Sequence, residues 1–454
     1  MKVLLILHHF LPEFSSGVEV YTYHLAQELR RRHEVALFFS KVSPATAPDY
    51  TIQDGILDGL VFRSVVNRGE EIKSFSETYH NPRISAIFKE FLDVVHPDVA
   101  HVHHLMYLSA DILHQLRERG IPIVFTLHDF WLQCPLFTRL KSDSSLCWDV
   151  KLDECARCAR GEVDQREVGW WPTALNWIAK RHVTAAGEPE THAARRRALT
   201  WMDNGHAYYI ARLRARERVM KQVLDQVSLF LCPSRFLLEE FHKWGLPRDK
   251  SCYSPNGHKI IGRASDIEPT RPRGKVRFGF IGSIVPHKGL HVLIQAFRDL
   301  DDATAELHIF GGFHDADYKR RILVLAEGDA RIVFHGPFLP HALAQAYAHF
   351  DVQVVPSIWF ENSPLTINEA FINKRPVITG DIGGMRELVD HGVNGLTFNV
   401  GDPVSLWECL DYLVTNPNSI AAFARRIPRI KTIEENAIEL ERTYARLLNM
   451  PEGA

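Results

Sequence analysis

Long hydrophobic runs are missing from this sequence of 454 residues. No segment approaches the roughly 18 apolar residues of a membrane-spanning helix. The apolar run Val3–Leu7 is too short for the core of a signal peptide. We therefore expect a cytoplasmic location, where the seven cysteines stay reduced unless they bind something.

An excess of charge of one sign is missing as well. The 53 basic and 55 acidic residues give a formal net charge of −2, which indicates no polyanionic partner such as a nucleic acid. The apolar fraction of 46% is ordinary for a soluble protein, and the length provides material for two large cores. Composition thus indicates a multidomain globular protein, and its function must be sought in local motifs.

Short apolar runs alternate with helical segments along both halves of the chain. Buried strands are predicted at Val3–Leu7, Val35–Ser40, Asp98–His104, Val124–His128, Arg277–Ile281 and Val352–Val355. This alternation predicts the α/β class with doubly wound parallel sheets. Ligands of such sheets bind outside the carboxyl ends of the strands, so functional residues are expected there.

The stretch Pro356–Glu387 carries the most chemical information. Asn362 and Ser363 are good N-cap residues and Pro364 suits the first helical position, so a helix is predicted to begin here and to end near Asn373. A helix that starts just after a buried strand presents free backbone N–H groups to an anion.

Two carboxylates bracket this helix start, Glu361 before it and Glu369 within it. A carboxylate beside a phosphate would be repelled, so neither is expected to touch the anion itself. Carboxylates accept hydrogen bonds in pairs, which suits the vicinal hydroxyls of a sugar. A nucleotide-sugar, a diphosphate with a sugar at each end, would satisfy all of these groups. A solvated helix face is the alternative for the two glutamates taken alone.

A set of motif residues in this stretch carries a family resemblance: Glu361, Asn362, Ser363, Pro364, Glu369, Gly383 and Gly384. Their spacing resembles that of the retaining glycosyltransferases of family 4. The resemblance implies the GT-B architecture, in which two Rossmann-like domains face each other across a cleft. It also implies that Glu361 holds hydroxyls of the donor sugar and that Glu369 holds the ribose.

The loop after Arg277–Ile281 is similar to the phosphate-binding segment of that family, which implies that Lys288 contacts the diphosphate. The family commonly carries an arginine where this chain has Ser283, so one cation is missing or is supplied by another residue such as Arg386. A helix N-terminus contributes about 0.3–2 kcal/mol towards an anion, against the ~8–23 kcal/mol of enzymatic acceleration. Leaving-group charge must therefore fall on Lys288 and on oriented backbone donors as well.

The same resemblance extends to other donor-binding positions. Those implied are Gly17, Ser283, Asn362, Ser363, Pro364, Leu365 and, near the nucleotide base, Phe338. Gly17 follows Ser15-Ser16 at a predicted helix start, where the family usually has two glycines. A purely structural tight turn is the alternative there.

Three histidines lie at the carboxyl ends of two predicted strands: His103, His104 and His128. The family's Thr-x-His-Asp segment matches His128 and lies near the donor sugar and the leaving phosphate, so the resemblance implies the same place for His128. The alternative is a core histidine that is hydrogen-bonded to a backbone carbonyl.

Four of the cysteines lie in one polar stretch: Cys134, Cys147, Cys155 and Cys158. The Cys155-x2-Cys158 pair is half of a zinc-knuckle pattern, and the other two could complete four thiolates, so a structural Zn²⁺ is predicted. An iron–sulfur cluster, disulfides or free thiols are the alternatives. Some members of the family carry similar insertions.

Residues 167–221 have helical composition and combine tryptophans with basic residues, namely Trp170, Trp171, Trp177, Trp201, Arg195–Arg197, Arg212, Arg214, Arg216, Arg218 and Lys221. This combination suits a peripheral membrane contact or an anionic acceptor. A solvated face of a helical insertion is the alternative.

These observations predict an N-terminal domain at 1–265 with an insertion at about 134–221, and a nucleotide-sugar-binding domain at 276–425. In the family, C-terminal helices (here 426–454) return to the first domain. We expect a metal-independent, retaining transfer of a hexose from a UDP- or GDP-sugar to a glycan or lipid-linked hydroxyl, with His128, Lys288 and Glu361 as catalytic residues. The alternatives are a GT-B epimerase or phosphorylase, or a non-catalytic nucleotide-sugar-binding subunit of a polysaccharide assembly.

Overall fold

A computed structural model describes residues 1–141, 143–161, 163, 192–260, 274–300, 305–339 and 342–449, with the backbone alone for 192–205. The described chain forms two compact units. Unit 1 comprises Met1–Leu231, Trp244–Cys252 and Glu441–Ala454, and unit 2 comprises Cys232–Lys243 and Tyr253–Leu440. By packing, the short segment 232–243 therefore belongs to unit 2, whereas the sequence placed it in the first domain. Residues 261–273, at the boundary between the two predicted domains, lie outside the described residues.

The first sheet has the strand order β3-β4-β2-β1-β5-β6-β7-β8. Its strands are β1 Lys2–Leu7, β2 Glu34–Lys41, β3 Ile52–Leu57, β4 Leu60–Val66, β5 Val99–Val102, β6 Ile123–Thr126, β7 Leu229–Cys232 and β8 Ser251–Tyr253. The pairings from β4 through to β7 are parallel, and β3 is antiparallel to β4. The central strands are buried on both faces, as their continuous apolar runs predict.

Helices connect and cover these strands. They are α1 Gly17–Leu29, α2 Pro82–Val95, α3 Asp111–Glu118, α4 Leu152–Cys158 and α5 His192–Gln226. The next helix, α6 Arg235–Trp244, follows β7 and lies in unit 2 except for Trp244. The helix α2 begins with Pro82 at its first position, and the Asn81 side chain accepts hydrogen bonds from the backbone N–H groups of Arg83 and Ile84. No helix in the described part of the chain is both long enough and apolar enough to cross a bilayer.

The second sheet has the order β11-β10-β9-β12-β13-β14, and all its described pairings are parallel. Its elements are β9 Val276–Ile281, α7 Leu290–Arg298, β10 Ala305–Phe310, α8 Ala316–Ala326, β11 Ile332–Gly336, α9 Leu343–Ala348, β12 Val352–Val355, α10 Leu365–Ile372, β13 Val377–Gly380, α11 Gly383–Leu388, β14 Gly395–Phe398, α12 Pro403–Thr415, α13 Asn418–Arg425 and α14 Ile433–Leu447. Its buried core is built on β9, β10, β12 and α7. Each unit is thus a doubly wound Rossmann-like α/β domain.

Candidate active site

The strand order of unit 2 reverses between β9 and β12. From β9 the chain moves outward to β10 and β11 on one side, and β12 then begins the other half of the sheet. The loops that follow β9 and β12 leave the sheet side by side at this point. Such a reversal opens the crevice in which doubly wound folds bind their ligands.

These two loops are joined by direct backbone contacts. The N–H of Ile358 donates to the carbonyl of His287 at 2.9 Å. Gly289 has φ +71°, and a Cβ built there would lie 1.9 Å from the carbonyl oxygen of Pro356. Only glycine permits this approach, which brings the start of α7 against the loop after β12.

Lys288 and Glu361 meet across this junction. The Lys288 ammonium lies 2.5 Å from Glu361 Oε1, and the Ser357 hydroxyl donates to the same oxygen at 2.8 Å. The Glu361 side chain is 8% exposed and that of Lys288 is 28% exposed. The structure therefore unites two of the predicted catalytic residues, and it adds Ser357, which no sequence motif had indicated.

The ion pair determines the protonation state of Glu361. Burial by itself would raise the pKa of this carboxyl, but the neighbouring Lys288 ammonium and the hydrogen bonds from Lys288 and Ser357 outweigh it and hold the pKa below its usual range. Glu361 is therefore a carboxylate at neutral pH, with a cation permanently beside it.

The helix start differs by one or two residues from the prediction. The helix α10 begins at Leu365 with Pro364 as its N-cap residue, so Asn362 and Ser363 do not cap it. The Asn362 side chain instead accepts a hydrogen bond from Ser234. No described side chain caps the first turn of α10. Its leading N–H groups therefore point towards the loop that carries Glu361.

Glu369 lies within α10 and is half-buried. Burial raises the pKa of its carboxyl to about 7. Within the described residues, its carboxylate has neither a hydrogen bond nor an ion pair that would offset this cost. The described surroundings of Glu369 thus supply no hydrogen-bond donor that stabilises its ionised form, whereas Lys288 and Ser357 do so for Glu361.

Other predicted donor-site residues are more peripheral. Ser283 is exposed in the loop after β9. Phe338 is half-buried beyond β11, and its ring lies edge-on to that of Phe310 at 5.9 Å. Arg386, considered above as a replacement cation, lies 3.3 Å from Asp381 and forms an ion pair with it.

In unit 1 the strand order reverses between β1 and β5, and histidines cluster at that point. His103 Nδ1 and His128 Nε2 are 3.1 Å apart, and the rings of His8 and His104 are centred 4.4 Å apart. His8 also approaches Glu19 at 3.3 Å. The structure therefore brings the predicted His103, His104 and His128 together and adds His8 and Glu19, which follow the first strand.

One of these imidazoles has a defined tautomer. The N–H of Met106 donates to His104 Nδ1 at 3.0 Å, so the His104 proton is on Nε2, which lies 3.0 Å from the Asp129 carboxylate. Burial lowers the pKa of His128 to about 3, and it also lowers the pKa values of His8 and His103. The imidazoles of His8, His103 and His128 are therefore neutral at pH 7. Gly17 is exposed at the first position of α1.

Two family models match the chain. The model described as "Glycosyl transferases group 1" matches residues 275–416, and "Glycosyltransferase Family 4" matches residues 15–158. The chain belongs to glycosyltransferase family 4. This membership, expected from the motif around Glu361 and Glu369, makes the protein a nucleotide-sugar-dependent glycosyltransferase.

The chain is similar in sequence to glycosyltransferases with known names. It is 26% identical to the GDP-mannose-dependent alpha-mannosyltransferase of Mycolicibacterium smegmatis, over 94% of this chain and 92% of that protein. It is 32% identical to the D-inositol 3-phosphate glycosyltransferase of Corynebacterium urealyticum, but over only 38% of this chain and 44% of that one.

Solved structures confirm the fold. The sucrose-phosphate synthase of Thermosynechococcus elongatus matches with a TM-score of 0.67 and 17% identity, covering 99% of each chain. HepE from Anabaena, in complex with UDP-glucose, matches with a TM-score of 0.60 and 15% identity, covering 98% of this chain and all of that one. The predicted GT-B fold, with two Rossmann-like domains, is therefore confirmed.

The cysteine prediction has a different outcome in this glycosyltransferase. The thiol of Cys155 lies close enough to Cys134, Cys147 and Cys158 for electrostatic interaction, and none of the four forms a disulfide. Among the described residues, however, no three cysteine, histidine or acidic side chains are arranged to hold a metal ion. The structural zinc predicted from the spacing is therefore not supported.

The basic insertion is only partly described. Trp170, Trp171 and Trp177, and the side chains of Trp201 and Arg195–Arg197, lie outside the described residues. In the described part of α5, Arg216 is 3% exposed and donates to the carbonyls of Trp131 and Leu132. The ammonium of Lys221 donates to the carbonyl of Trp244. These two cations are engaged inside unit 1. Of the predicted basic residues whose side chains the structure describes, Arg212, Arg214 and Arg218 are exposed.

Proposed function

We propose that this glycosyltransferase moves a hexose from a UDP- or GDP-sugar to a hydroxyl of a glycan or lipid-linked acceptor, with retention of configuration and without a catalytic metal. One observation carries the proposal: the Lys288–Glu361 pair lies at the strand-order reversal of unit 2. On the next helix, α10, Glu369 lacks such a partner.

Lys288 is suited to the diphosphate. An ammonium has three N–H donors, and Glu361 occupies one of them, so the others can reach phosphate oxygens. The starts of α7 and α10 have no described side-chain caps and add backbone donors of the same polarity. Together these groups would stabilise the charge that develops on the leaving diphosphate.

Glu361 is suited to the hydroxyls of the donor sugar. The carboxylate is already ionised, and its bonds to Lys288 and Ser357 both end on Oε1. A carboxylate has about four acceptor sites, so it can still accept from a sugar hydroxyl. We assign it to ligand binding rather than to nucleophilic attack, because retention through a covalent intermediate requires two carboxyl groups that flank the scissile bond. In the proposed reaction the acceptor oxygen attacks from the face that the diphosphate leaves, and a phosphate oxygen takes its proton.

Glu369 is suited to the ribose. A carboxylate whose burial is not offset gains most from new hydrogen-bond donors, and the paired hydroxyls of a ribose supply two. Nucleotide binding would therefore favour its ionised form and lower its pKa.

Metal independence is proposed because Lys288 already supplies a cation at the diphosphate. The Asp-x-Asp sequence at Asp315 and Asp317, a pattern that could hold a metal ion, has other roles. Asp315 caps α8 by accepting from the N–H of Tyr318, and Asp317 pairs with Arg320. Turnover that is unchanged by EDTA is the expected result, and a rate restored only by Mg²⁺ or Mn²⁺ would contradict it.

The relatives indicate which donors to test. The name of the Mycolicibacterium relative specifies GDP-mannose, and the Anabaena structure contains UDP-glucose. Calorimetric titration of GDP, UDP and ADP, followed by the corresponding sugars, should show binding of one nucleotide. The Glu369→Gln variant should weaken that binding, whereas Glu408→Gln, at an exposed glutamate of α12, should not. Binding of none of the three would contradict the proposal.

A peripheral membrane contact is proposed through the exposed arginines of α5, Arg212, Arg214 and Arg218. Each basic residue near an anionic surface contributes about 1 kcal/mol. Sedimentation with vesicles that contain phosphatidylglycerol should fall when all three are changed to glutamate and should also fall with added salt. Equal sedimentation of the two proteins would contradict this contact.

A further inference from the structure

Ser234 lies next to the candidate sugar-binding loop, although it is more than a hundred residues away in sequence. Its hydroxyl accepts from the N–H of Leu237 at 3.1 Å and donates to Asn362 Oδ1 at 2.6 Å. Ser234 is 2% exposed and Asn362 is 9% exposed, so solvent does not compete with these bonds. A serine hydroxyl has one proton, and the structure directs it to the Asn362 amide.

The helix that Ser234 caps, α6, is held to the same region by a second contact. The Glu387 carboxylate, on α11, accepts from the backbone N–H of Arg235 at 2.8 Å and from that of Phe236. The ring of Phe236 also stacks on that of Phe360, with centroids 5.3 Å apart. The start of α6 is therefore fixed against the residues that immediately precede Glu361.

The backbone of the loop is held from another side. Gly384 donates its N–H to the carbonyl of Glu361 at 2.8 Å, and a Cβ on Gly384 would lie 1.5 Å from the carbonyl oxygen of Asn362. The peptide after Glu361 is thus held by α11, while the Asn362 side chain is held by Ser234. A capped helix requires only the bond to Leu237; the bond to Asn362 does nothing for α6 itself.

We propose that Ser234 is a positioning residue for the donor sugar, which acts by holding Asn362, and with it the loop that carries Glu361, in one position. Glu361 is the carboxylate to which the hydroxyls of the sugar are assigned, so a displaced loop would weaken the contact with the sugar rather than the contact with the nucleotide. The inference rests on the proposed function, because it assumes that the loop at Glu361 binds the sugar of the donor.

The test compares affinities for a nucleotide with and without its sugar, by calorimetry, using GDP against GDP-mannose and UDP against UDP-glucose. Losing one hydrogen bond that positions a ligand group costs roughly two- to tenfold. Ser234→Ala is therefore expected to weaken binding of the nucleotide-sugar by up to about tenfold and to leave the affinity for the nucleoside diphosphate unchanged. Ser234→Thr, which keeps the hydroxyl, should recover most of the affinity for the sugar form.

A double-mutant cycle distinguishes positioning from a general effect on the fold. If Ser234 acts through Asn362, the variant carrying both Ser234→Ala and Asn362→Ala should bind the nucleotide-sugar no more weakly than Asn362→Ala alone. Asp402→Ala is the matched control: Asp402 caps α12 through the N–H groups of Val404 and Ser405, so its loss removes a cap elsewhere in unit 2. This control should lower the melting temperature without changing the preference for the sugar form.

The outcomes are distinguishable. Independent effects of the two substitutions, or an unchanged affinity of Ser234→Ala for the nucleotide-sugar, would overturn the role of Ser234 while leaving the proposed function intact. A wild-type protein that binds neither nucleotide would overturn the proposed function, and this inference with it.

Discussion

The two units reverse their strand order in the same manner, yet the groups at the two reversal points differ in charge. In unit 1 the loops after β1 and β5 assemble histidines, and burial lowers the pKa values of His8, His103 and His128. In unit 2 the loops after β9 and β12 assemble the Lys288–Glu361 ion pair. Three imidazoles at the first reversal point are neutral at pH 7, whereas the second reversal point is built on an ion pair.

The difference shows that topology supplies the place for a site but not its chemistry. Neutral imidazoles can both donate to and accept from uncharged hydroxyls, which suits a sugar or an acceptor. An ammonium beside uncapped helix starts suits a diphosphate. We therefore expect substitutions in unit 2 to affect donor binding and turnover most strongly, and those in unit 1 to have smaller effects.

The largest effect is expected for Glu361→Gln. The substitution removes the carboxylate that is proposed to hold the sugar, and turnover should fall about 100- to 1000-fold, the range typical for losing one preorganised polar contact to a transition state. Affinity for the nucleoside diphosphate should fall little, because the phosphates are assigned to Lys288. The measurement is the rate of nucleoside diphosphate release together with calorimetry. Equal, small effects of Glu361→Gln and Glu369→Gln would contradict these roles.

The next largest effect is expected to be a loss of stability in Lys288→Met, because this substitution leaves the Glu361 carboxylate buried without its cation. Breaking a buried pair costs about 3–5 kcal/mol, and the partial exposure of Lys288 puts this case at or below the lower end. In the wild type the lowered pKa of Glu361 contributes stability above pH 4.5 that is lost as the pH falls through the folded-state pKa.

Without Lys288 the sign of this dependence reverses. The pKa of Glu361 would then rise, so the variant should lose stability as the pH rises above 4.5. Thermal melting from pH 4 to 8 tests this, and Lys288→Arg is the matched control that keeps the charge. Parallel melting curves of wild type and Lys288→Met across this range would show that the pair contributes no net stability.

Glu369 should make nucleotide binding dependent on pH. Its pKa is raised to about 7, so in the free protein it is mostly neutral below pH 7 and cannot accept two hydrogen bonds from ribose. The affinity for the nucleotide is expected to rise about tenfold from pH 6 to pH 8 and then to level off. The reason is that the ionised fraction of Glu369 falls about tenfold for each pH unit below its pKa. In Glu369→Gln the affinity should be weaker and nearly independent of pH, as calorimetry in buffers of matched ionic strength would show.

The same substitution should stabilise the free protein. A carboxyl whose pKa is higher in the folded state than in the unfolded state costs stability as the pH rises from 4.5 through 7. Glu369→Gln should therefore raise the unfolding free energy by about 1–3 kcal/mol at pH 8 and by almost nothing at pH 4. A lower melting temperature of the variant at pH 8 would mean that the carboxylate has a stabilising partner.

The smallest effect is expected in unit 1. His128→Asn keeps a neutral hydrogen-bonding side chain, so turnover should fall about tenfold or less, within the range for one positioned polar group. Because burial lowers the pKa of His128 to about 3, its loss should not remove any pH dependence near 6.5. Full pH–rate profiles test this, and His114→Asn, on an exposed helix surface, is the control. If the acidic limb of the pH–rate profile lies at higher pH in the wild type than in His128→Asn, His128 is charged during the reaction.

The sequence by itself determined the α/β class and the main strands. Buried parallel strands require apolar side chains on both faces, so their positions are visible as short apolar runs, and β9 and β12 were predicted to within one residue. The residues Lys288, Glu361 and Glu369 were also identified from the sequence, because they lie in loops and a helix start with a family spacing. Their site roles stay predictions.

Only the tertiary structure decided how these residues are paired. Lys288 and Glu361 are 73 residues apart and Ser234 and Asn362 are 128 apart, and no local periodicity records such distances. They meet because the sheet places β9 beside β12 and because α6 packs in unit 2. Burial is equally non-local. It removed Arg216 from the predicted basic surface. Burial alone would raise the pKa of both Glu361 and Glu369, and the shifts have opposite signs because the Lys288 ammonium beside Glu361 outweighs burial, whereas no described cation lies beside Glu369.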